Sequence, residues 1–132
     1  MEESSATQMP VEVAVDRNNR VVITTYSGEV SDADVARQIS EVQRHAPYQD
    51  GYRVITDFTR ATQFNISTDK IRSVADTESP LANAKRVMVA PSDVAYGTSR
   101  MFQALATQTR PNIVVVRTLE EAYAALGIAA QE

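Results

Sequence analysis

The stretch Val87-Met88-Val89-Ala90-Pro91-Ser92-Asp93-Val94-Ala95-Tyr96-Gly97-Thr98-Ser99-Arg100-Met101-Phe102 decides how this chain folds. Its first four residues are apolar on both alternating faces, as in a strand covered on two sides. Pro91 ends that strand. Ser92-Asp93 then caps a helix, placing an acid at the positive end of the helix dipole. This helix is expected to bury Val94, Met101, Phe102 and Leu105 and to turn Tyr96, Arg100, Gln103 and Thr107 the other way. Strand, sharp exit and helix form one unit of a parallel α/β sheet, and most of the chain repeats that unit.

Downstream, Asn112 to Arg117 gives another strand, with Ile113-Val114-Val115-Val116 the most continuous apolar run in the chain. Thr118-Leu119-Glu120-Glu121 is a capping box. Leu119, Ala122, Tyr123 and Leu126 line one face of the helix it opens, and Gly127 is the glycine expected just past its end. Upstream, Tyr52 to Phe58 reads as a strand and Thr59 to Ile66 as a loop. Ser67-Thr68-Asp69 caps a helix that buries Ile71, Val74 and Ala75 and stops at Ser79-Pro80.

Further back, Ser31 caps a helix opened by Asp32 and Asp34. Val35, Ile39 and Val42 make one apolar stripe on it, and it ends before Pro47. Val11, Val13 and Val15 alternate with Glu12 and Ala14 as in a half-buried strand. Asp16-Arg17-Asn18-Asn19 is turn chemistry, and Val21 to Tyr26 is a β-branched run closed by Gly28. These two strands predict an antiparallel hairpin. The element order is ββαβαβαβα. It implies an α/β fold with a five-stranded mixed sheet, the first strand antiparallel and the crossovers right-handed. One domain is expected over residues 11–127, with residues 1–10 frayed and 128–132 a loose tail.

Composition narrows the function classes. The chain has 132 residues, 43% hydrophobic and 23% charged, with a formal net charge of −4. That balance argues against a general nucleic-acid binder, which needs a basic face. Without cysteine there are no disulfides, thiolate metal sites or thiol nucleophiles. The first residues lack the basic and apolar runs of a signal peptide, and no apolar segment approaches the ~20 residues of a membrane span. A cytoplasmic protein is expected. The single histidine, His45, has no evident catalytic partner, and the carboxylates fall mostly in first turns of helices. No catalytic residues, metal ligands or cofactor are expected.

The chain resembles the SpoIIAA-like bacterial proteins, which share the STAS fold. The residues that carry the resemblance are Val22-Ile23-Thr24-Thr25-Tyr26-Ser27-Gly28-Glu29-Val30 with Ser31, then Ile55-Thr56-Asp57-Phe58-Thr59. Ala90-Pro91-Ser92-Asp93 follows, with Tyr96-Gly97 and Arg100-Met101-Phe102, and Val116-Arg117-Thr118-Leu119-Glu120-Glu121-Ala122 completes it. The match spans about residues 11–127, and Tyr-Gly-x-x-Arg-Met-Phe is its most specific part. It implies helices packed largely on one side of the sheet. It also implies two kinds of role: a phosphorylation-switched partner of another protein, or a module of Sec14-type character that binds apolar ligands or membranes. In the first kind the regulatory serine sits where Ser67 stands, beyond an aspartate at the strand end, here Asp57. The family's Asp-Ser-Ser-Gly signature is replaced by Asn65-Ile66-Ser67-Thr68-Asp69, and a plain N-cap serine is the simpler reading.

Three places are candidates. Ser67 is the candidate phosphorylation site. The strand exits gather Asp57, Thr59, Ser92, Asp93, Tyr96, Arg117 and Thr118 at the edge where parallel sheets bind ligands. There Tyr96 and Arg100 would present an aromatic face and a cation. Gly97 costs ~1 kcal/mol inside a helix, explained by a close backbone approach or by a helix that begins near Thr98. Phe64, Met101 and Phe102 would supply an apolar pocket or patch. The candidate ligand or partner site is therefore Asp57, Thr59, Tyr96, Gly97, Arg100 and Met101.

The function expected is a non-enzymatic, regulatory binding module for an unidentified protein partner or a small apolar or anionic ligand, with no role for nucleic acid. The alternative is a lipid-like ligand or peripheral membrane module. Transient membrane contact and a homodimer stay open. A partner module predicts an exposed Ser67 and no sizeable cavity, whereas a ligand module predicts an apolar cavity between sheet and helices.

Overall fold

The computed structural model describes residues 10–128. The expectations of a frayed N-terminus up to residue 9 and of a loose tail beyond residue 128 lie outside those residues. Ile128, the last one described, donates its N–H to the Tyr123 carbonyl and packs against the core.

The elements run in the expected order: β1 (Val11–Asp16), β2 (Val21–Ser31), α1 (Asp32–Arg44), β3 (Arg53–Asn65), α2 (Thr68–Asp76), β4 (Lys85–Val89), α3 (Asp93–Leu105), β5 (Ile113–Val116) and α4 (Leu119–Leu126). They make one five-stranded sheet in the order β1-β2-β3-β4-β5. β1 is antiparallel to β2 and all other pairs are parallel. Parallel strands that step in one direction with crossovers of one hand place every connecting helix on the same face. That is the observed layering: α1, α2 and α3 lie over Val22, Tyr26, Val54, Phe58 and Met88. α4 is not a crossover and folds back onto the other face. There Ala122 and Leu126 meet Val21, Ile55, Val87 and Val89. With both faces covered, β4 is buried from Arg86 to Val89.

Local chemistry sets the helix ends as the sequence dictates. Ser31, Ser67, Ser92 and Thr118 are the N-caps, each hydroxyl accepting from a backbone N–H three residues on. Gly127 closes α4 in the left-handed conformation, at φ 70°.

Two expectations need correction. Thr59 to Ile66 is not a loop: β3 continues to Asn65 and β2 to Ser31, so the two strands project beyond their neighbours as a parallel ribbon. Register shifts interrupt this ribbon, one of them between Gly28 and Glu29. Gly28 has φ +68° there, a conformation that disfavours any side chain. The second correction concerns α3. Val94 is 62% exposed, and the face turned inward is Ala95, Ser99, Phe102 and Ala106, one residue round from the expected stripe. Side-chain bulk points to the wrong face. The small Ala95 and Ser99 let the helix come close to the sheet, and both are buried.

Candidate functional site

The helix-covered face of the sheet does not fill completely. Two apolar clusters form on it. One holds Tyr26, Val30, Phe58, Met88, Ala95 and Ala106, with Phe102 packed against it. The other holds Val22, Val42, Tyr52, Val54 and Leu81. Between them lies a cavity of about 100 Å³. Val35 and Ile39 of α1, Ile71 and Val74 of α2, and Thr98, Ser99 and Phe102 of α3 wall it, over a floor of Val22, Tyr26, Val54, Thr56, Phe58 and Met88. Ile71 and Val74 are buried yet belong to neither cluster. Exposed Gln43, Glu78 and Pro80 also line it and mark its opening to solvent. Of the stripe of α1 read from the sequence, Val35 and Ile39 thus face this space, while Val42 borders it and packs into the second cluster.

Three rings give the floor its rigidity. Tyr26 stacks on Phe58 with centroids 5.1 Å apart, and Phe58 meets Phe64 edge-on at 5.0 Å. Burial, and secondarily the charge of Asp34, pushes the Tyr26 phenol well above its ordinary pKa. It stays protonated, a neutral polar group in an apolar floor.

The polar end of the cavity is cationic. Arg86, the second residue of β4, is 8% exposed and Arg110, after α3, is 6% exposed, and both line the space. Arg86 donates from Nη2 to the Leu81 carbonyl at 2.8 Å, while its Nε is buried with no partner. Arg110 donates from Nη1 to the carbonyls of Val74 and Thr77, at 3.0 and 2.9 Å, and lies 5.6 Å above the Phe102 ring. Neither makes an ion pair among the described residues. Burial, then the neighbouring Arg110 charge, pushes Arg86 down to about 9, and burial lowers Arg110. Both keep their charge at neutral pH. Carbonyls, and the partial negative charge at the α2 C-terminus, offset only part of a desolvation cost of several kcal/mol per ion. The Ser99 hydroxyl, 1% exposed, lines the same cavity and has no hydrogen-bond partner among the described residues.

Of the residues expected at the strand exits, Asp93, Tyr96 and Arg117 meet just past the ends of β4 and β5, away from the cavity, whereas Asp57 and Thr59 lie within β3, which runs on to Asn65. Asp57 is buried and accepts from the Thr59 N–H at 2.8 Å through Oδ1. Tyr96 is half-buried, and the cation over its ring is Arg117, at 4.0 Å, not Arg100. Arg117 is held there by the Pro91 carbonyl and Asp93 at 3.1 and 3.2 Å. Arg100 is exposed and Met101 half-buried. Gly97 lies inside α3, and a methyl added there would meet nothing within 4 Å, so neither a close approach nor a late helix start accounts for it. None of Asp57, Thr59, Tyr96, Gly97, Arg100 and Met101 lines the cavity.

Ser67 is exposed, and its surroundings are acidic. Its N–H and hydroxyl both donate to the Asp32 carboxylate at 2.8 Å, and Oγ accepts from the Lys70 N–H at 3.0 Å. These bonds hold Asp32 below its ordinary pKa. The serine ties the start of α2 to the start of α1. A phosphate there would face Asp32 as well as Asp69. Among the described residues no His, Asp and Glu group is placed to hold a metal ion, and no helix is long and apolar enough to cross a membrane. No protein-family model matches the chain, and no curated protein matches it.

Proposed function

We propose that the chain is a non-enzymatic, STAS-like binding module that takes a small, largely apolar ligand between its sheet and α1–α3. The cavity carries this reading. A space of about 100 Å³, walled by apolar side chains of three helices, gives up dispersion contacts that a packed core would make. It approaches the ~150 Å³ of an engineered cavity that binds benzene. Its lip is the edge of α1, where half-exposed Val35 and Ile39 would be covered by an occupant. Membership of the SpoIIAA-like family remains part of the proposal, supported by the mixed sheet and by the packing of three of the four helices on one of its faces.

The reading as a phosphorylation-switched partner has less support. Ser67 is exposed as that reading requires, but its hydroxyl is engaged by a carboxylate, and the cavity that reading did not expect is present.

Methyl NMR with added benzene tests the proposal with a neutral probe. Shifts are expected at Val35, Ile39, Ile71 and Val74 and not at Val87 and Val89 on the opposite face. No saturable shift at the first four, or equal shifts on both faces, would refute it.

A further inference from the structure

Resting on the proposed ligand cavity, we infer that its occupant is an amphipathic carboxylate, with the carboxylate held by Arg86 and Arg110 and a short apolar tail lying among Val35, Ile39, Ile71 and Val74.

Four observations bear on this one space. Two guanidinium groups, at 8% and 6% exposure, border the same cavity without an ion-pair partner among the described residues. The Nε of Arg86 and the Oγ of Ser99 are buried donors with no acceptor among the described residues. Backbone carbonyls of Val74, Thr77 and Leu81 fix the orientation of the two arginines, but a neutral carbonyl leaves both charges uncompensated. Arg110 is further constrained by its place over the Phe102 ring. Such a fixed pair of guanidiniums is suited to a planar anion, to which Arg donates in parallel.

The remaining walls choose among anions. They are apolar apart from the two arginines, Gln38, Thr56, Thr98, Ser99, the Tyr26 phenol and the rim, so the bound group must give up most of its hydration. A carboxylate monoanion does this more readily than a phosphate dianion. The volume, about 100 Å³ against the ~150 Å³ that accepts benzene, limits the tail to no more than about six carbons. Longer chains would leave through the opening beside Gln43 and Pro80.

The test is an NMR titration of the full chain with sodium hexanoate, 1-hexanol and hexyl phosphate, reading the cavity methyls and the Arg Nε–H signals. Hexanoate is expected to bind at least tenfold more tightly than hexanol and to shift the Arg86 Nε–H. Arg86→Met should abolish that preference while hexanol still binds. A loss of both ligands in a folded Arg86→Met protein would mean that Arg86 only supports the fold, and would overturn the inference. If Arg86→Met does not fold, Arg86→Lys keeps a charge but loses the fork, and is expected to weaken hexanoate alone. Equal weakening of both ligands would count against the inference. Equal binding of hexanoate and hexanol to the wild type would overturn the carboxylate while leaving the apolar cavity in place. Preference for hexyl phosphate would overturn the choice of anion. Binding of none of the three would remove the inference, and failure of benzene as well would remove the reading beneath it.

Discussion

Ser99 offers the most direct trial of the cavity's physics. Its hydroxyl is buried at 1% exposure without a partner and lines the space. An unsatisfied hydroxyl costs about 1–3 kcal/mol, so removing it in Ser99→Ala should stabilise the protein by at least ~1 kcal/mol. Ser99→Val also removes it and projects two methyl groups towards the cavity, worth roughly 1.6 kcal/mol at about 0.8 kcal/mol per buried carbon. That gain fits inside the ceiling set by the space: about 100 Å³ at ~24 cal/mol per Å³ allows roughly 2.4 kcal/mol. Serine and valine have similar helix propensities, so the backbone adds little. Ser99→Val is therefore expected to gain at least about 2.6 kcal/mol, on the order of 10 °C in Tm for a chain of this size. It should also bind benzene or hexanoate at least tenfold more weakly. Urea unfolding at constant m-value measures the first effect and the NMR titrations the second. If Ser99→Ala and Ser99→Val both lower the midpoint, the hydroxyl is satisfied in solution and the reasoning fails. If only valine lowers it, the space cannot take two methyl groups.

Further outcomes follow from single sites. Gly97→Ala replaces a glycine inside α3 where a methyl meets nothing, and should raise stability by about 1 kcal/mol in chemical denaturation. Phe58→Ala removes the ring that joins Tyr26 to Phe64, and should cost about 3–5 kcal/mol, read as a lower urea midpoint. Asp32 is held below its ordinary pKa first by the Ser67 N–H, then by the Ser67 hydroxyl. Its contribution is thus fully present above the unfolded value of 3.8 and is lost as pH falls through the lower folded value. The stability gap between wild type and Asp32→Asn should accordingly be widest near neutrality and close in acid, as measured by urea midpoints across pH 2–7.

The order of elements was legible because each strand ends in chemistry with one reading. Pro91 followed by Ser92, Thr118 followed three residues later by Glu121, and Gly127 each permit little else. The ribbon of β2 and β3 was not legible. Thr59-Arg60-Ala61-Thr62-Gln63 has no buried face to impose an alternation, and its strand character comes from pairing with β2. The inward face of α3 escaped for the opposite reason. Val94 and Met101 outweigh Ala95 and Ser99 in hydrophobicity, yet close packing against a sheet selects the small side chains. The strand-exit site was half legible. An aromatic–cation pair forms there, but its cation is Arg117, the residue that follows β5.

The arginines of the cavity show where sequence reasoning had a signal and where it had none. In Lys85-Arg86-Val87-Met88-Val89, period two puts Arg86 on the face of Met88, and a charged residue on an inward face of a central strand is costly enough to call for a reason. Arg110 lies in a polar connection, Gln108-Thr109-Arg110-Pro111, and nothing in its neighbours foretells burial. Three features around this cavity each lower stability: an unfilled space, a hydroxyl without a partner among the described residues, and a pair of like charges that make no ion pair among them. Each has a simple apolar replacement, so their accumulation at one point is not what packing alone would select. Gly97 is the useful contrast, because it too lowers stability but stands alone on an exposed helix surface. A lone cost of that size is ordinary in a marginally stable protein, whereas three unlike costs that a single amphipathic anion would relieve together point to a site.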